Sequence, residues 1–532
     1  MTHYPLLSVC MIVKNEAHNL VEALPNFSLF ADELVVVDTG STDGTRDVVR
    51  AHRAKLYEFE WIDDFSAARN YSFDKASGRY LLWLDADDRF LPEMQDRIQR
   101  LKAHFDGNKG FTFILENVHE PDASNFCRQL RCIPARKEVR FQGRIHEQIL
   151  KSAVQANLEL VDTDITVRHM GYVNRDLCRA KLRRNLDLLL ADVEAGEKGP
   201  STLLFLAWTY EALDERDRAI AAMQNAVFAM ETEAFSKDFI VEGHLFLGRC
   251  YAERGDPSKA LRFAVRACAL IENDAHQCFR IAMLFQDIGK HKEALGYLHL
   301  VRSNPYRPGW LPTQELPPDG QILVEMAFSL FCLQQQHDAM EMLRMAWQSG
   351  EEVGKTWEWI GMKALRMQDY RLAALAYESA LRGGSMSADG FCNLGLIYRK
   401  RGFFSKTVEC YRRALHLEPG HLMAMANLAH FYLDRDQIQA AAPLFHDLIA
   451  RGARDLDILL GMAVVAAARS DRRVLDQVQT QLLAAEHLTA TILASGQNSD
   501  SAQVFVLIAE HYEKQDRKRF AALARAVVRA LP

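Results

Sequence analysis

The sequence has no CxxC pair, no long apolar run and no excess of basic charge, and each absence removes a class of protein. Ten cysteines in 532 residues, none at a CxxC spacing, make neither a disulfide framework nor a zinc site. Cys10, Cys250, Cys332 and Cys392 sit inside apolar stretches and read as buried thiols, so a reducing, cytoplasmic location is expected. No apolar run approaches the roughly 18 residues of a membrane-spanning helix. Residues Met1 to Cys10 lack a basic start and lead directly into a strand-like segment, so no signal peptide is expected. With 28 Gly and 15 Pro the chain is neither collagen-like nor a low-complexity polymer. A net charge of −6 gives no basic footprint and argues against a nucleic-acid partner. What remains is ordinary globular composition, 49% hydrophobic and 25% charged, in a length that implies about two to four domains.

The chain changes character near residue 175. Before it, the apolar runs Leu7 to Val13, Leu34 to Val37, Leu56 to Phe59 and Tyr80 to Leu84 alternate with helical stretches. The helices are expected from about Asp43, over Ser66 to Lys75, and over Pro92 to Phe105. That alternation predicts βαβ units on a parallel sheet. Phe111 to Leu115, Gln129 to Ile133 and Ile165 to Val167 read as further strands with less regular connections. The expected organisation is an α/β domain over 1–174, a connecting helix over 175–199, and an all-α region over 200–532.

In that last region a repeat takes over. Gly361 with Ala364, Gly395 with Tyr398 and Ala429 with Tyr432 stand 34 residues apart, as do Ala373, Thr407 and Ala441, and Tyr377, Tyr411 and Phe445. Gly248, Tyr251 and Ala260 are matched by Ala282, Phe285 and Ala294 at the same offset. This resembles the tetratricopeptide repeat, a helix–turn–helix unit in which small residues let two helices pack closely. About nine units are expected, with a Pro- and Gly-rich insertion near 303–320. One unit cannot bury its own faces, so stacking into a solenoid is implied. Its surface serves either to bind a protein or peptide, or only to dimerise the chain and support the first domain. A homo-oligomer is therefore one expectation.

Two segments of the first domain carry chemistry. Leu34-Val35-Val36-Val37-Asp38-Thr39-Gly40-Ser41-Thr42-Asp43-Gly44-Thr45 is a buried strand ending in an acid, then a turn into a helix. Ligands of open α/β sheets bind at the carboxyl ends of strands. Asp38 stands there, able to accept hydrogen bonds from a base or ribose; Asp43 reads as a turn or cap residue. Tyr80-Leu81-Leu82-Trp83-Leu84-Asp85-Ala86-Asp87-Asp88 is a second strand ending in acids. Three carboxylates within four positions repel one another and call for a cation or strong donors. Mg²⁺ or Mn²⁺ suits such a hard oxygen set.

Four motifs occur in order: Ser8-Val9-Cys10-Met11-Ile12-Val13-Lys14-Asn15-Glu16, the Asp38 segment, Asp63-Asp64-Phe65-Ser66-Ala67-Ala68-Arg69-Asn70, and Leu84-Asp85-Ala86-Asp87-Asp88. Together they resemble family 2 glycosyltransferases of the GT-A fold, a Rossmann-like α/β domain. The likeness is closest to the bacterial subgroup with C-terminal tetratricopeptide repeats, which includes the peptide S-glycosyltransferases of glycosylated bacteriocins. The resemblance implies an inverting enzyme using a nucleotide-sugar donor, usually a UDP-sugar. It places Val13, Asn15, Glu16 and Asp38 around the nucleotide, and Asp85 near the ribose and the metal. Asp87 of the DxD motif would ligate the metal between the phosphates.

Other residues are read both ways. Arg69, on a helix that Ser66 is expected to cap, pairs with a phosphate or is a solvated surface Arg; Asn70 follows it into the same pocket. His169, after a short strand, is a further metal ligand, as late histidines of the resembled family often are, or a structural residue. His146-Glu147 is not the start of a zinc-protease HExxH, because position 150 is Leu. Glu147 is the candidate general base, Asp88 the second choice, and a cap or salt-bridge role for Glu147 is equally open. The acceptor expected from the repeats is a protein or peptide. Two alternatives stand beside it: assembly of a cell-surface glycan or lipopolysaccharide, and a catalytically inactive scaffold that binds protein partners.

Overall fold

The computed structural model of the chain describes residues 5–119, 123–170, 175–233, 237–271, 274–304, 313–314, 316–384, 386–485, 501–514 and 517–531. The fold divides into two compact units, Met1–Ala339 and Met340–Pro532.

In the first unit the strands are β1 (Leu7–Val13), β2 (Glu33–Asp38), β3 (Lys55–Glu58), β4 (Tyr80–Trp83), β5 (Asp88–Arg89), β6 (Lys109–His119), β7 (Ala123–Pro134), β8 (Glu159–His169) and β9 (Thr313–Gln314). Its first helices are α1 (Ala17–Ser28), α2 (Thr45–Ala51), α3 (Phe65–Lys75), α4 (Pro92–Leu101) and α5 (Leu150–Gln155). The strands form one sheet in the order β3-β2-β1-β4-β7-β6-β8-β5, with β9 pairing β7. β3, β2, β1 and β4 run parallel, the part that helix-separated apolar runs predict. Beyond β4, where the connections are less regular, the sheet is mixed: β6 and β8 run parallel. β7 pairs β4 and β6 antiparallel, because a short connection between β6 and β7 allows a hairpin where no crossover helix intervenes. β9 belongs to the expected insertion near 303–320; residues 305–312 and 315 of that insertion lie outside the described residues.

β1 is buried along almost its whole length, as a central strand covered on both faces must be. Leu7, Val9, Met11 and Val13 pack with Leu20, Leu24 and Phe27 of α1 on one face. Cys10 and Val35 pack with Phe73 of α3 and with Trp83 and Phe141 on the other. The register places Val13 beside Asp38 and Cys10 beside Trp83. The carboxyl ends of β2, β1 and β4 therefore lie side by side.

After His169 the described residues are almost entirely helical. α6 (Arg175–Glu194), α7 (Pro200–Ala212) and α8 (Arg216–Thr232) begin a series of helix pairs. It continues in the first unit with 237–253 and 257–268, and 275–287 and 291–303. The second unit repeats the plan, for example at 353–366 with 370–382 and at 388–400 with 404–417. The small residues of the 34-residue pattern mark the close approaches. A Cβ on Gly395 would stand 2.6 Å from the Tyr411 ring, and one on Gly361 2.8 Å from that of Tyr377. Ala373, Thr407, Ala441, Tyr377, Tyr411 and Phe445 are all buried. No described helix is long and apolar enough to cross a membrane.

Candidate active site

One end of the site is built by two loops tied to each other. Asn15, after β1, takes a left-handed φ of 57°. Its N–H donates to Ser41 Oγ at 2.9 Å and its Oδ1 accepts from the Thr42 N–H at 2.8 Å. The Glu16 N–H donates to Thr45 Oγ1 at 2.8 Å, and the Val13 carbonyl accepts from the Thr39 N–H at 2.9 Å. Asp38 is fully buried at this seam and accepts from the Ser41 N–H and, at 2.6 Å, from Arg46 Nε. Burial alone would raise its carboxyl, but the hydrogen bonds from Ser41 and Arg46 outweigh that and hold it below the usual range. Asp43 serves the turn, accepting from the N–H groups of Thr45 and Ala17.

The second focus lies at the end of β4, about 10 Å from β2 across one intervening strand. The ligand atoms of Asp85, Asp87, Asp88 and His169 lie within 4.8 Å of one another. β5 and β8 create this meeting by pairing Asp88 with His169. His169 Nδ1 stands 3.0 Å from Asp88 Oδ1 and 3.3 Å from Asp87 Oδ1. Burial would lower the imidazole, but Asp88, Asp87 and Asp85 raise it to about 9. Burial and the charges of Asp85, Asp88 and Glu16 push Asp87 up to about 6, against the pull of His169. A carboxylate held so reluctantly beside two others matches the chemistry of a divalent cation site: oxygen donors plus one imidazole. The residues present fit Mn²⁺ or Mg²⁺.

Asp88 is the most constrained member of the cluster. It is fully buried; Oδ2 accepts from the Asp85 N–H at 2.9 Å and from Arg131 Nη1 at 3.0 Å, while Oδ1 faces His169. With both oxygens engaged, its geometry is that of an orienting group. Arg131 was not expected. It is itself buried, with its guanidinium 3.8 Å from the centre of the Trp83 ring. The signal was an arginine in the middle of the apolar run Gln129-Leu130-Arg131-Cys132-Ile133, a cost that only a buried partner explains.

Arg69 connects this cluster to Glu147. It is 8% exposed, and its Nη2 donates to Asp85 Oδ1 at 2.8 Å while its Nε donates to Glu147 Oε1 at 2.6 Å. Its Nη1 is buried with no hydrogen-bond partner. Burial works against the charge, but Asp85 and Glu147 keep the guanidinium firmly protonated. Asp85 is held well below the usual range: burial opposes ionisation, and Arg69, Arg131 and His169 overcome it. Two expectations on this helix change. Asp64, not Ser66, caps α3, accepting from the Ala67 N–H at 2.9 Å, because Ser66 already lies inside the first turn. Asn70 uses its amide both ways on the Phe141 backbone, at 3.0 and 2.9 Å, and so clamps the neighbouring loop.

An open cavity of about 730 Å³ lies at the opposite, amino end of the strands, lined by Asp32, Glu33, Lys55 and Lys102 among others. Its acids are already paired with its lysines.

The family described as Glycosyl transferase family 2 matches residues 8–177. A TPR repeat-containing protein of Synechococcus elongatus is 35% identical over 144 residues, covering 27% of this chain and 35% of that protein. The SPbeta prophage-derived glycosyltransferase SunS of Bacillus subtilis is 24% identical over 147 residues, with the same two coverages. The matched stretch thus spans about a third of the length of these relatives. Among solved structures, yeast Tom70 covers 56% of this chain and 61% of its own, at 14% identity and a TM-score of 0.35. Residues 8–177 thus match the model of glycosyl transferase family 2, and helix pairs follow them in this chain.

Proposed function

We propose that the chain is a metal-dependent, inverting glycosyltransferase that moves a sugar from a UDP-sugar to a protein or peptide acceptor. The reading rests above all on the convergence of Asp85, Asp87 and His169 at the end of β4, one strand away from the buried Asp38 at the end of β2. That spacing suits a nucleoside held by Asp38 and the Val13 to Glu16 loop, with its diphosphate directed at the carboxylates.

Asp87 and His169, with Asp85, would hold a divalent cation, which stabilises the negative charge developing on the departing diphosphate. Asp88 orients His169 and is in turn fixed by Arg131. Arg69 holds Glu147 in place and has a buried Nη1 suited to a phosphate oxygen. In the transfer, the acceptor's oxygen or sulfur bonds to the anomeric carbon as the bond to the diphosphate oxygen breaks. Glu147 takes the acceptor's proton, a role worth roughly 10²- to 10⁴-fold in rate. The protein or peptide acceptor is inferred from the helix pairs, an architecture that builds extended binding surfaces.

The test is a thermal-shift titration with UDP and other nucleoside diphosphates, with and without Mn²⁺. A ligand at 100 times its Kd stabilises its domain by about 2.7 kcal/mol. A UDP-specific, Mn²⁺-dependent shift that disappears in Asp87→Ala is expected. No shift with any nucleotide would overturn the enzyme reading in favour of a binding scaffold.

A further inference from the structure

Glu147 sits on a loop that leaves the α/β sheet and is gripped by the helices that follow it. The backbone of Gln142 and Gln148 closes the loop with hydrogen bonds of 3.0 and 2.9 Å. Between them, consecutive residues are anchored in turn. Ser66 Oγ donates to the Gly143 carbonyl at 2.6 Å, and the Phe65 N–H donates to the Arg144 carbonyl at 2.8 Å. Arg144 Nε reaches Asp192 of α6 at 3.6 Å. Ile145 is buried in an apolar cluster with Leu189 of α6 and Leu204, Ala207 and Tyr210 of α7. His146 lies flat on Phe205 of α7, ring centres 4.0 Å apart and planes 6° from parallel. The next residue is Glu147, on Arg69.

The His146 contact is costly for a residue with a packing role alone. Its φ is 51°, in the left-handed region that few non-glycine residues occupy and that His, Asn and Asp tolerate better than most. Its Nε2 is buried without a hydrogen-bond partner, and such a group forfeits its solvation for nothing. Strain and an unsatisfied group persist where the surrounding structure over-determines them, and they concentrate at functional sites. Here the residue with the unsatisfied ring nitrogen is the one immediately before the candidate base, and the clamp on it is a ring from α7.

We propose that Phe205 is a positioning residue for sugar transfer: stacked on His146, it fixes the loop that aims Glu147, so the helical region completes the catalytic site. This rests on the glycosyltransferase reading and on Glu147 as the base. It assigns α7 a task at the reacting end, separate from any acceptor binding by later repeats.

The test uses the full chain with Phe205→Ala, Phe205→Tyr and His146→Ala. Three quantities are read: the Kd of UDP with Mn²⁺ by calorimetry, amide hydrogen exchange of residues 142–148, and UDP release from UDP-glucose and UDP-N-acetylglucosamine with water as acceptor. Phe205→Ala is expected to leave the UDP Kd within about twofold, since the nucleotide loops are not touched. Loop exchange should speed up about tenfold or more. kcat should fall about 10- to 100-fold at nearly constant donor KM, the size of effect that slight misplacement of a reacting group produces. Phe205→Tyr keeps the ring and should behave as the wild type. His146→Ala removes the stack from the loop side and, combined with Phe205→Ala, should add nothing further. It serves as the decisive variant if Phe205→Ala disturbs α7. Intact UDP binding with unaltered loop exchange, or faster exchange with unaltered kcat, overturns the positioning role alone. Absence of UDP binding by the wild-type chain overturns the functional reading beneath it.

Discussion

Arg69 Nε donates to Glu147 Oε1 at 2.6 Å across 78 residues of sequence, while the same guanidinium holds Asp85 at 2.8 Å. One planar cation thus joins the candidate base to the carboxylate cluster. An ammonium cannot reproduce that fork, so Arg69→Lys is expected to lower kcat about 100-fold. Glu147→Gln, which keeps an oxygen for Arg69, should retain UDP affinity while losing about 10²- to 10⁴-fold in turnover. Steady-state UDP release set beside calorimetric Kd values separates the two effects.

Burial and the neighbouring carboxylates push Asp87 up to about 6, and a cation relieves that repulsion. Asp87→Ala should abolish the Mn²⁺-dependent part of UDP binding, as should excess EDTA on the wild type. Metal-dependent turnover at wild-type level in the variant would reject Asp87 as a ligand.

The two raised pKa values set a pH dependence with a definite sign. Between about 6, where Asp87 ionises, and about 9, where His169 loses its proton, a metal must displace the imidazole proton. Mn²⁺ affinity should therefore rise with pH across that window, by at most about tenfold per unit. Calorimetry in buffers of different ionisation enthalpy should show close to one proton released at pH 7.5. Without metal, stability runs the other way. His169 has a folded pKa above its unfolded value of 6.5, so its contribution is full below pH 6.5 and is lost as pH rises toward 9. Melting in EDTA should fall over that range, and His169→Gln should flatten the slope.

Arg131 and Asp88 form an ion pair with both side chains essentially unexposed. Removing one partner strands the other charge in the core. Asp88→Ala is expected to destabilise the first unit by about 3–5 kcal/mol, read as an earlier urea midpoint for the full chain. A loss below about 1 kcal/mol would mean that water reaches Arg131.

In the second unit, Gly395→Ala would put a methyl 2.6 Å from the buried Tyr411 ring. Helix propensity favours Ala over Gly by about 1 kcal/mol, so the sign of the change discriminates. Overpacking should dominate and cost about 1–3 kcal/mol, seen as a lower melting temperature. Stabilisation would mean that the helix pair opens to admit the methyl.

Much of this was legible along the chain because it is local. β1 occupies the expected Leu7 to Val13 run, since a strand covered on both faces is built mainly of apolar residues. The 34-residue spacing of Gly361, Gly395 and Ala429 reports helix contacts repeated from unit to unit. Asp38 and Asp85 were visible as acids closing apolar strands. The sequence favours Ser66 as the cap of α3 and the structure has Asp64 there, because either side chain suits the position and only the backbone turn selects between them.

By itself, the sequence determined the alternation of strand and helix, the period of the repeats and the stock of acids at the strand ends, all set by local propensity and burial pattern. The tertiary structure alone decided which of these groups meet. Antiparallel pairing of β5 with β8 carries His169 to Asp88 across 81 residues, and β7 delivers Arg131 beneath them. Asn70 is bound to the Phe141 backbone, and Phe205 is laid on His146. Such encounters depend on strand register and on where a loop is clamped. Those are properties of the packed whole, in which a buried charge or an unpaired ring nitrogen is held by partners no local window contains.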